Sequence, residues 1–472
     1  MILKAARAFR RGKLLLLLFG LAGCAAPPPL VDLSEGRPNV ILIALDTFRA
    51  DHLGCYGGQR AQTPNIDALA AESILFERCS SNAPWTLPSF GTLFTGRLPS
   101  AHRAVGGGSK RLSSQLPTMA EIFTAHGYAT LGFVAVDWLG TGFGLDRGFE
   151  RQYPDFDGRV TGRYDRQLPQ IFHFLGNRPV EPFFILSHFY DAHAPYDPPS
   201  PYDRMYYEGD PYDPAKHSME PLYLGSNRIQ RQVKARYAWL EGVTDLEYPT
   251  AQYAAGITHV DAGVGKLLDL LRSNGQLDRS VVILVSDHGE HLTEHSIYFT
   301  HRFPYEECLH VPLMIRLPGA RGAGRRIASE VSLVDLLPTV LELLDIPRPE
   351  ILDGSSLLPL MRGKKLHKQR IHFAEYGASP RNHVRAAWDA DFRLIDFSVG
   401  DERWLELYDR QMDRAEVVNV ASERPAERDR LLAALRRQFG SDAILAGELP
   451  DSSHIRLDPA IEERLRALGY FD

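Results

Sequence analysis

Two aspartates each close an apolar run: Asp46 directly follows "VILIAL" and Asp287 directly follows "VVILVS". His288 stands beside the second, in "SDHGEH". If the runs are parallel strands of one open sheet, ligands gather outside their carboxyl ends, and both carboxylates face one crevice. Two hard oxygens and an imidazole supply three ligands of a divalent metal site. The imidazole favours manganese or zinc, with calcium or magnesium as alternatives. Either Asp alone reads as a helix cap. The pair, with a His attached, reads as a metal centre.

A fourth group comes from "SNAPWTLPSFGTLFTG", residues 81–96. Pro88 suits the first turn of a helix, which puts Thr86 at or near the N-cap. Free N–H groups and the positive end of the helix dipole favour negative charge there. A metal held by Asp46, Asp287 and His288 would lower the hydroxyl pKa further. Thr86 is then both a fourth ligand and a nucleophile, and capping its helix is compatible with that role.

The elements that must position these groups are legible as short apolar runs at 39–45, 129–136, 183–189, 280–286 and 311–316. Helical patterns lie between them, in "NIDALAAESILF", "LPTMAEIFTAHG" and "HVDAGVGKLLDLLRSNG". Apolar strands alternating with amphipathic helices predict an α/β fold, a mainly parallel sheet covered on both faces. Residues 197–250, rich in Tyr, Pro and charge, read as an insertion or lid near the crevice. Beyond about residue 345, "FRLIDF" and "WLELYD" predict a small antiparallel sheet, and "ERDRLLAALRRQF" a late helix. The whole reads as a catalytic domain over 38–345 and a C-terminal α+β subdomain over 346–472.

Four co-ordered blocks, "NVILIALDTFRADHLGCYG", "TPNIDALAAESILFERCSSNAPWTLPSFGTLFTGRLPSAH", "VSDHGEHLTEH" and "YFTHRFPYEECLHVPLMIRLPG", resemble the sulfatase family of the alkaline phosphatase superfamily. The C-terminal "LELYDRQMDRAEVVNVA" is similar to that family as well. The resemblance implies an alkaline phosphatase-like doubly wound sheet, a metal on Asp46, Asp287 and His288, and a nucleophile at Thr86. It also implies that His193, in "YDAHAPYDPP", and His301, in "YFTHRF", hold the anionic group or assist the leaving group.

The departures carry chemistry too. Sulfatases have C/S-x-P-x-R, whose Cys or Ser is oxidised to formylglycine; here the motif is T-L-P-S-F, with Phe90 in place of the Arg. Oxidised Thr would be a ketone, not an aldehyde. The acidic pair of the first block is Asp46-Thr47, and "AVDWLG" stands where the family often has Gly-Lys-Trp-His. A Thr here resembles the branch in which an unmodified hydroxyl attacks phosphorus, among phosphodiesterases and phospho-alcohol transferases. With no multi-helix membrane domain in the sequence, a hydrolase of phosphodiesters or phosphomonoesters is expected. An arylsulfatase-like sulfate ester hydrolase is the alternative among enzymes. From another class comes a catalytically silent sulfatase-fold binder in the cell envelope, which the missing Arg and Lys favour and the intact metal set opposes.

The remaining features set the context. The chain has 472 residues, 44% hydrophobic, ample for one large domain and an appendage. Five Lys/Arg precede a ten-residue apolar run, too short to span a bilayer, so residues 1–23 read as a cleaved signal, and "LAGC" at its end resembles the lipobox of bacterial lipoproteins, which implies that Cys24 is lipidated. Residues 24–37 then form a tether, and Ala25 points to the outer membrane and a periplasm-facing enzyme. Net charge is −6, and the overall excess of acidic residues argues against nucleic acid. Cys55, Cys79 and Cys308 allow one optional bridge, Cys55 to Cys79. His102, His259, His295, His310 and Asp261 read as satisfied structural groups. The expected partners are an anionic ester substrate and, through the anchor, a membrane; the oligomeric state is open. Replacing Cys24 by Ser should release the protein from the membrane fraction or block its processing, and a normally processed, membrane-retained Cys24→Ser protein would overturn the anchor.

Overall fold

The structure, a computed structural model, describes residues 29–440 apart from residue 35 and the segments 106–110, 141, 155–162, 178–180, 225–233, 365–369 and 380–381. The signal, Cys24 and most of the tether lie outside the described residues, as does the end of the C-terminal subdomain. No helix of the described residues is long and apolar enough to cross a membrane.

The strands are β1 (Asn39–Leu45), β2 (Ile74–Ser80), β3 (Ala129–Val134), β4 (Arg151–Pro154), β5 (Phe183–Phe189), β6 (Ser280–Ser286), β7 (His310–Arg316) and β8 (Arg326–Ser332). They form one sheet in the order β4-β3-β5-β1-β6-β7-β2-β8. All pairings are parallel except those of β7, which runs against both β6 and β2. The continuous apolar character of the central strands has a direct cause. Val40, Leu42 and Ala44 of β1 enter one core while Ile41, Ile43 and Leu45 enter another on the opposite face. With helices over both faces, apolar residues are favoured on both sides of a strand.

Helices α1 (Pro64–Ala71), α2 (Thr86–Thr95), α3 (Met119–Ala125), α4 (Tyr164–Gly176), α5 (Glu247–Ser273) and α6 (Leu336–Leu343) cover this sheet. One expectation needs correction. The helical reading of "NIDALAAESILF" holds only to Ala71, and its tail enters β2. Leu75 pairs with both Met314 and Arg326 there, so sheet pairing overrides the local period. Strands β2, β4 and β8 carry polar or charged residues within them and gave no apolar run. Cys55, Cys79 and Cys308 are free, so the optional bridge is not made. Within 197–250 the described residues include short helices, and Trp239 packs edge-on against Tyr196 and Phe299.

The C-terminal sheet is antiparallel, ordered β12-β11-β10-β9, from β9 (His372–Ser379), β10 (Asn382–Trp388), β11 (Phe392–Val399) and β12 (Glu402–Asp409). One face, with Leu394 and Leu407, takes Leu431, Leu435 and Phe439 of α7 (Pro425–Phe439). The other, with Trp388, Ile395 and Phe397, packs on Ile297, Tyr305 and Leu309 of the large domain. Beside that contact lies a fully buried cation, Arg393, whose Nη2 is 2.5 Å from Glu306 and whose Nη1 is 3.2 Å from Glu416. Removing one partner of a buried pair leaves the other charge uncompensated. Arg393→Ala should therefore cost about 3–5 kcal/mol in urea unfolding; a loss below about 1 kcal/mol would show the cluster to be dispensable.

Candidate metal and nucleophile site

Strands β5, β1 and β6 are adjacent, and their registers align the ends that matter. Leu45 is level with Phe189 on one side and Ser286 on the other. The next residues, Asp46 and Asp287, therefore leave the sheet side by side. A short set of hydrogen bonds laces the two turns together. The Phe48 N–H donates to Ser286 Oγ at 3.0 Å, and Ser286 Oγ donates to the His288 carbonyl at 2.7 Å. Tyr253 of α5 donates its hydroxyl to the Thr47 carbonyl at 2.7 Å. Thr47 has φ 61°, a left-handed conformation that a β-branched residue rarely adopts. Such strain persists where the surroundings over-determine it, as these bonds do here.

Asp46, Asp287 and His288 offer ligand atoms that all lie within 4.8 Å of one another, and all three side chains are fully buried. His288 Nε2 is 3.4 Å from Asp287 Oδ2 and 3.7 Å from Asp46 Oδ1. Its Nδ1 is 2.9 Å from the Gly289 carbonyl. That contact fixes the proton on Nδ1 and leaves the Nε2 lone pair for a cation. Asp46 Oδ1 and Asp287 Oδ2 are buried without a hydrogen-bond partner, which is costly for a carboxylate unless a positive charge faces it. Burial, and then the nearby Glu290 carboxylate, push the Asp46 carboxyl well above its ordinary range. Burial, and then Asp46 itself, do the same to Asp287. Burial, then His301, drive His288 well below the usual imidazole value. Two acids that resist ionisation and a base that resists protonation are what a divalent cation would relieve. The donor set fits one.

Thr86 is placed differently from its expected role as cap. Trp85, with extended backbone at φ −163° and ψ 162°, is the N-cap, and no side chain caps the helix. Thr86 is the first helical residue, and its hydroxyl points away from the helix: Oγ1 lies 3.4 Å from Asp46 Oδ2 and 3.3 Å from His288 Nε2. It thus joins the other three, fully buried, at the positive end of α2. The helix stops at Gly96, whose φ of 63° a glycine takes at little cost.

His301 and His193 are brought alongside. The His301 ring lies 4.5 Å from that of His288 and 5.0 Å from that of His193, which stacks on Tyr190 at 4.3 Å. His301 Nδ1 is 3.6 Å from Glu290 Oε1, so a buried carboxylate backs this imidazole. The other histidines stand elsewhere. His102 is buried behind α2, 3.0 Å from the Pro88 carbonyl, with burial pushing it down to about 3. His259 faces Asp191 at 3.5 Å, His295 faces Glu307 at 3.5 Å, and His310 meets the Glu77 carbonyl at 3.0 Å. Asp261 accepts the Ile66 N–H at 2.8 Å and so serves the first turn of α1 from another helix. Two buried groups at the site carried no mark in the sequence. His188 lies inside the apolar "FFILSHF", and Glu290 merely follows the "SDHG" run. Only their even placement near strand ends could have drawn attention to them.

The sulfatase family profile matches residues 38–346, and that of the "N-sulphoglucosamine sulphohydrolase, C-terminal" family matches 293–441. The chain is 28% identical to an N-acetylglucosamine-6-O-sulfatase of Bacteroides thetaiotaomicron, over 85% of each chain. It is 26% identical to an arylsulfatase of Clostridium perfringens, over 81% of this chain and 90% of that one. Its fold matches a phosphonate monoester hydrolase of Agrobacterium radiobacter with TM-score 0.72, covering 85% of this chain and 96% of that one at 24% identity.

A cation that binds only the folded protein stabilises it by mass action, about 2.7 kcal/mol at a hundredfold excess over Kd. Adding Mn²⁺ or Zn²⁺ should raise the Tm of the chelator-stripped wild type, and Asp287→Ala should abolish both the shift and the retained metal. Equal metal in wild type and Asp287→Ala, by elemental analysis, would refute this placement.

Proposed function

Because this chain belongs to the sulfatase family of the alkaline phosphatase superfamily, we propose that it is a metal-dependent hydrolase of phosphate esters that uses the unmodified Thr86 hydroxyl. One observation carries the reading. A buried threonine oxygen stands within 3.4 Å of both Asp46 and His288, at a residue whose oxidation cannot give an aldehyde. Asp46, Asp287, His288 and Thr86 would hold the cation. When bound, it supplies Lewis-acid stabilisation of charge on the transferring group and on the Thr86 oxygen.

The residues of the chain account for the rest. Thr86 gives its hydroxyl proton to solvent as its Oγ1 attacks phosphorus, the ester P–O bond breaks, and phospho-Thr forms. The leaving alkoxide takes a proton from protonated His301, whose ring lies against His288, or from His193, whose ring lies against His301. A water then attacks the same phosphorus in line and gives a proton back to that histidine; the Thr86 oxygen leaves and takes a proton from solvent, and phosphate, or a phosphomonoester from a diester, is released. The N-terminal end of α2 favours the negative charge on the equatorial oxygens throughout. A simple sulfo-Thr has no hemiacetal route for expelling sulfate, so this hydroxyl suits phosphorus better.

Sulfate ester hydrolysis is the second reading, and the names of the two relatives, an N-acetylglucosamine-6-O-sulfatase and an arylsulfatase, favour it. The fold likeness to a phosphonate monoester hydrolase does not decide between them. A location in the bacterial envelope, anchored at Cys24, belongs to the same proposal.

Aryl phosphate, phosphodiester, phosphonate and sulfate esters, assayed side by side, discriminate the two readings. Phosphoesters should turn over faster, and peptide mapping after a substrate pulse should find phosphate on Thr86. Thr86→Ser should retain part of the activity, and Thr86→Ala should lose on the order of 10⁴-fold or more. An adduct on another residue, or full activity in Thr86→Ala, would end this mechanism; faster sulfate turnover would establish the second reading.

A further inference from the structure

His188 lies on β5 level with Ala44 of β1, so its side chain stands beside the turn that Asp46 begins. Its Nε2 is 3.2 Å from Asp46 Oδ2, and both side chains are completely buried. Its Nδ1 accepts the Ala135 N–H at 3.4 Å, which places the proton on Nε2 and makes that nitrogen the donor to Asp46. Phe90 of α2 meets the imidazole edge-on, ring centroids 5.3 Å apart at 82°, and is itself fully buried. Ring orientation and tautomer are therefore both set by neighbours that carry no charge.

The two oxygens of Asp46 are treated unequally as a result. Oδ2 is approached by two donors, Thr86 Oγ1 at 3.4 Å and His188 Nε2 at 3.2 Å. Oδ1 has no hydrogen-bond partner and lies 3.7 Å from His288 Nε2. His188 is not itself in the ligand set, since the group of ligand atoms found within 4.8 Å among the described residues is Asp46, Asp287 and His288. It stands behind the set, against one member of it.

We infer that His188 is a positioning residue that holds Asp46 Oδ2 so that Oδ1 is turned toward Asp287 and His288. A carboxylate free to rotate about its last bond would lose that preference, and the cation would have to restore it at a cost in affinity. Phe90, where the family motif has Arg, acquires a purpose from this arrangement. Its ring closes one side of the imidazole edge-on. This inference rests on the metal reading of the site but concerns only how Asp46 is held.

The test uses the full chain stripped with chelator, Mn²⁺ as the probe, and calorimetric titration as the readout, so activity is not needed. Loss of such a supporting partner typically weakens metal binding about 10–100-fold. His188→Leu, nearly isosteric but without a donor, should raise Kd by that factor. His188→Gln, whose amide reaches the same oxygen, should stay within about threefold of wild type. His188→Asn, too short to reach, should behave like Leu and provides the measurement if the Leu variant does not fold. Ile185→Val, in the same strand but facing the other core, should lower Tm without changing Kd. Wild-type Kd in folded His188→Leu or His188→Asn would overturn the positioning role while leaving the metal site intact. If the wild type does not bind Mn²⁺, the series is run with whichever of Zn²⁺, Ca²⁺ and Mg²⁺ it binds, and a wild type that binds none of the four would overturn both together.

Discussion

Two carboxylates buried side by side at the ends of adjacent strands constrain everything around them. Asp46 and Asp287 each keep one oxygen without a hydrogen-bond partner in a region sealed from water. Removing such ions from water costs several kcal/mol apiece unless opposite charge is supplied. No Lys or Arg approaches those two oxygens in the described structure, and His288 is held with its lone pair, not a proton, facing them. The arrangement is therefore unfavourable by itself and favourable around a cation. The fold supplies the remaining stability from two apolar layers, one on each face of the sheet.

The same constraint explains why the backbone near the site is so heavily tied. Thr47 sits in a left-handed conformation directly after Asp46, and the Phe48–Ser286–His288 bonds join the two turns across the sheet. If either turn could relax, the two carboxylates would separate. Repulsion between them is thus opposed by neutral hydrogen bonds rather than by salt bridges. Arg49, three residues after Asp46, is engaged instead with Asp51 and Glu294. Charge at the centre stays available to whatever cation and anion the site binds.

What could be read in the sequence followed from how each element is buried. β1, β5 and β6 were legible residue for residue because burial on both faces favours apolar residues at most positions, and Asp46 and Asp287 stood out by directly following such runs. β2 and β8 were not: β2 carries half-buried Glu77 and Arg78 beside the edge strand β8, which itself carries Arg326, Ser329 and Glu330. His188 was hidden by the rule that revealed Asp46: a polar residue inside an apolar run reads as a satisfied core group. Thr86 was found, but its geometry was not. Pro88 in the first turn suggested a threonine cap, whereas the bulky Trp85, pinned edge-on against Trp138 at 5.4 Å, takes the cap position and frees the hydroxyl.

That displacement by one residue matters for chemistry. An N-cap hydroxyl is committed to the N–H groups of its own helix and presents its lone pairs to them. A hydroxyl one position later has no such partner and can be aimed outward. Here it is aimed between Asp46 and His288, where the helix dipole and a bound cation would act on the same oxygen. The position also has a steric consequence. The extra methyl of Thr, compared with Ser, fixes χ1 more tightly, so the oxygen spends less time away from the attacking direction. An aldehyde-forming residue gains a leaving route for sulfate at this place; a threonine gains a stiff, pre-aimed oxygen instead. On the reading proposed above, the Asp46, Asp287 and His288 arrangement serves a nucleophile of different chemistry from an aldehyde-forming residue.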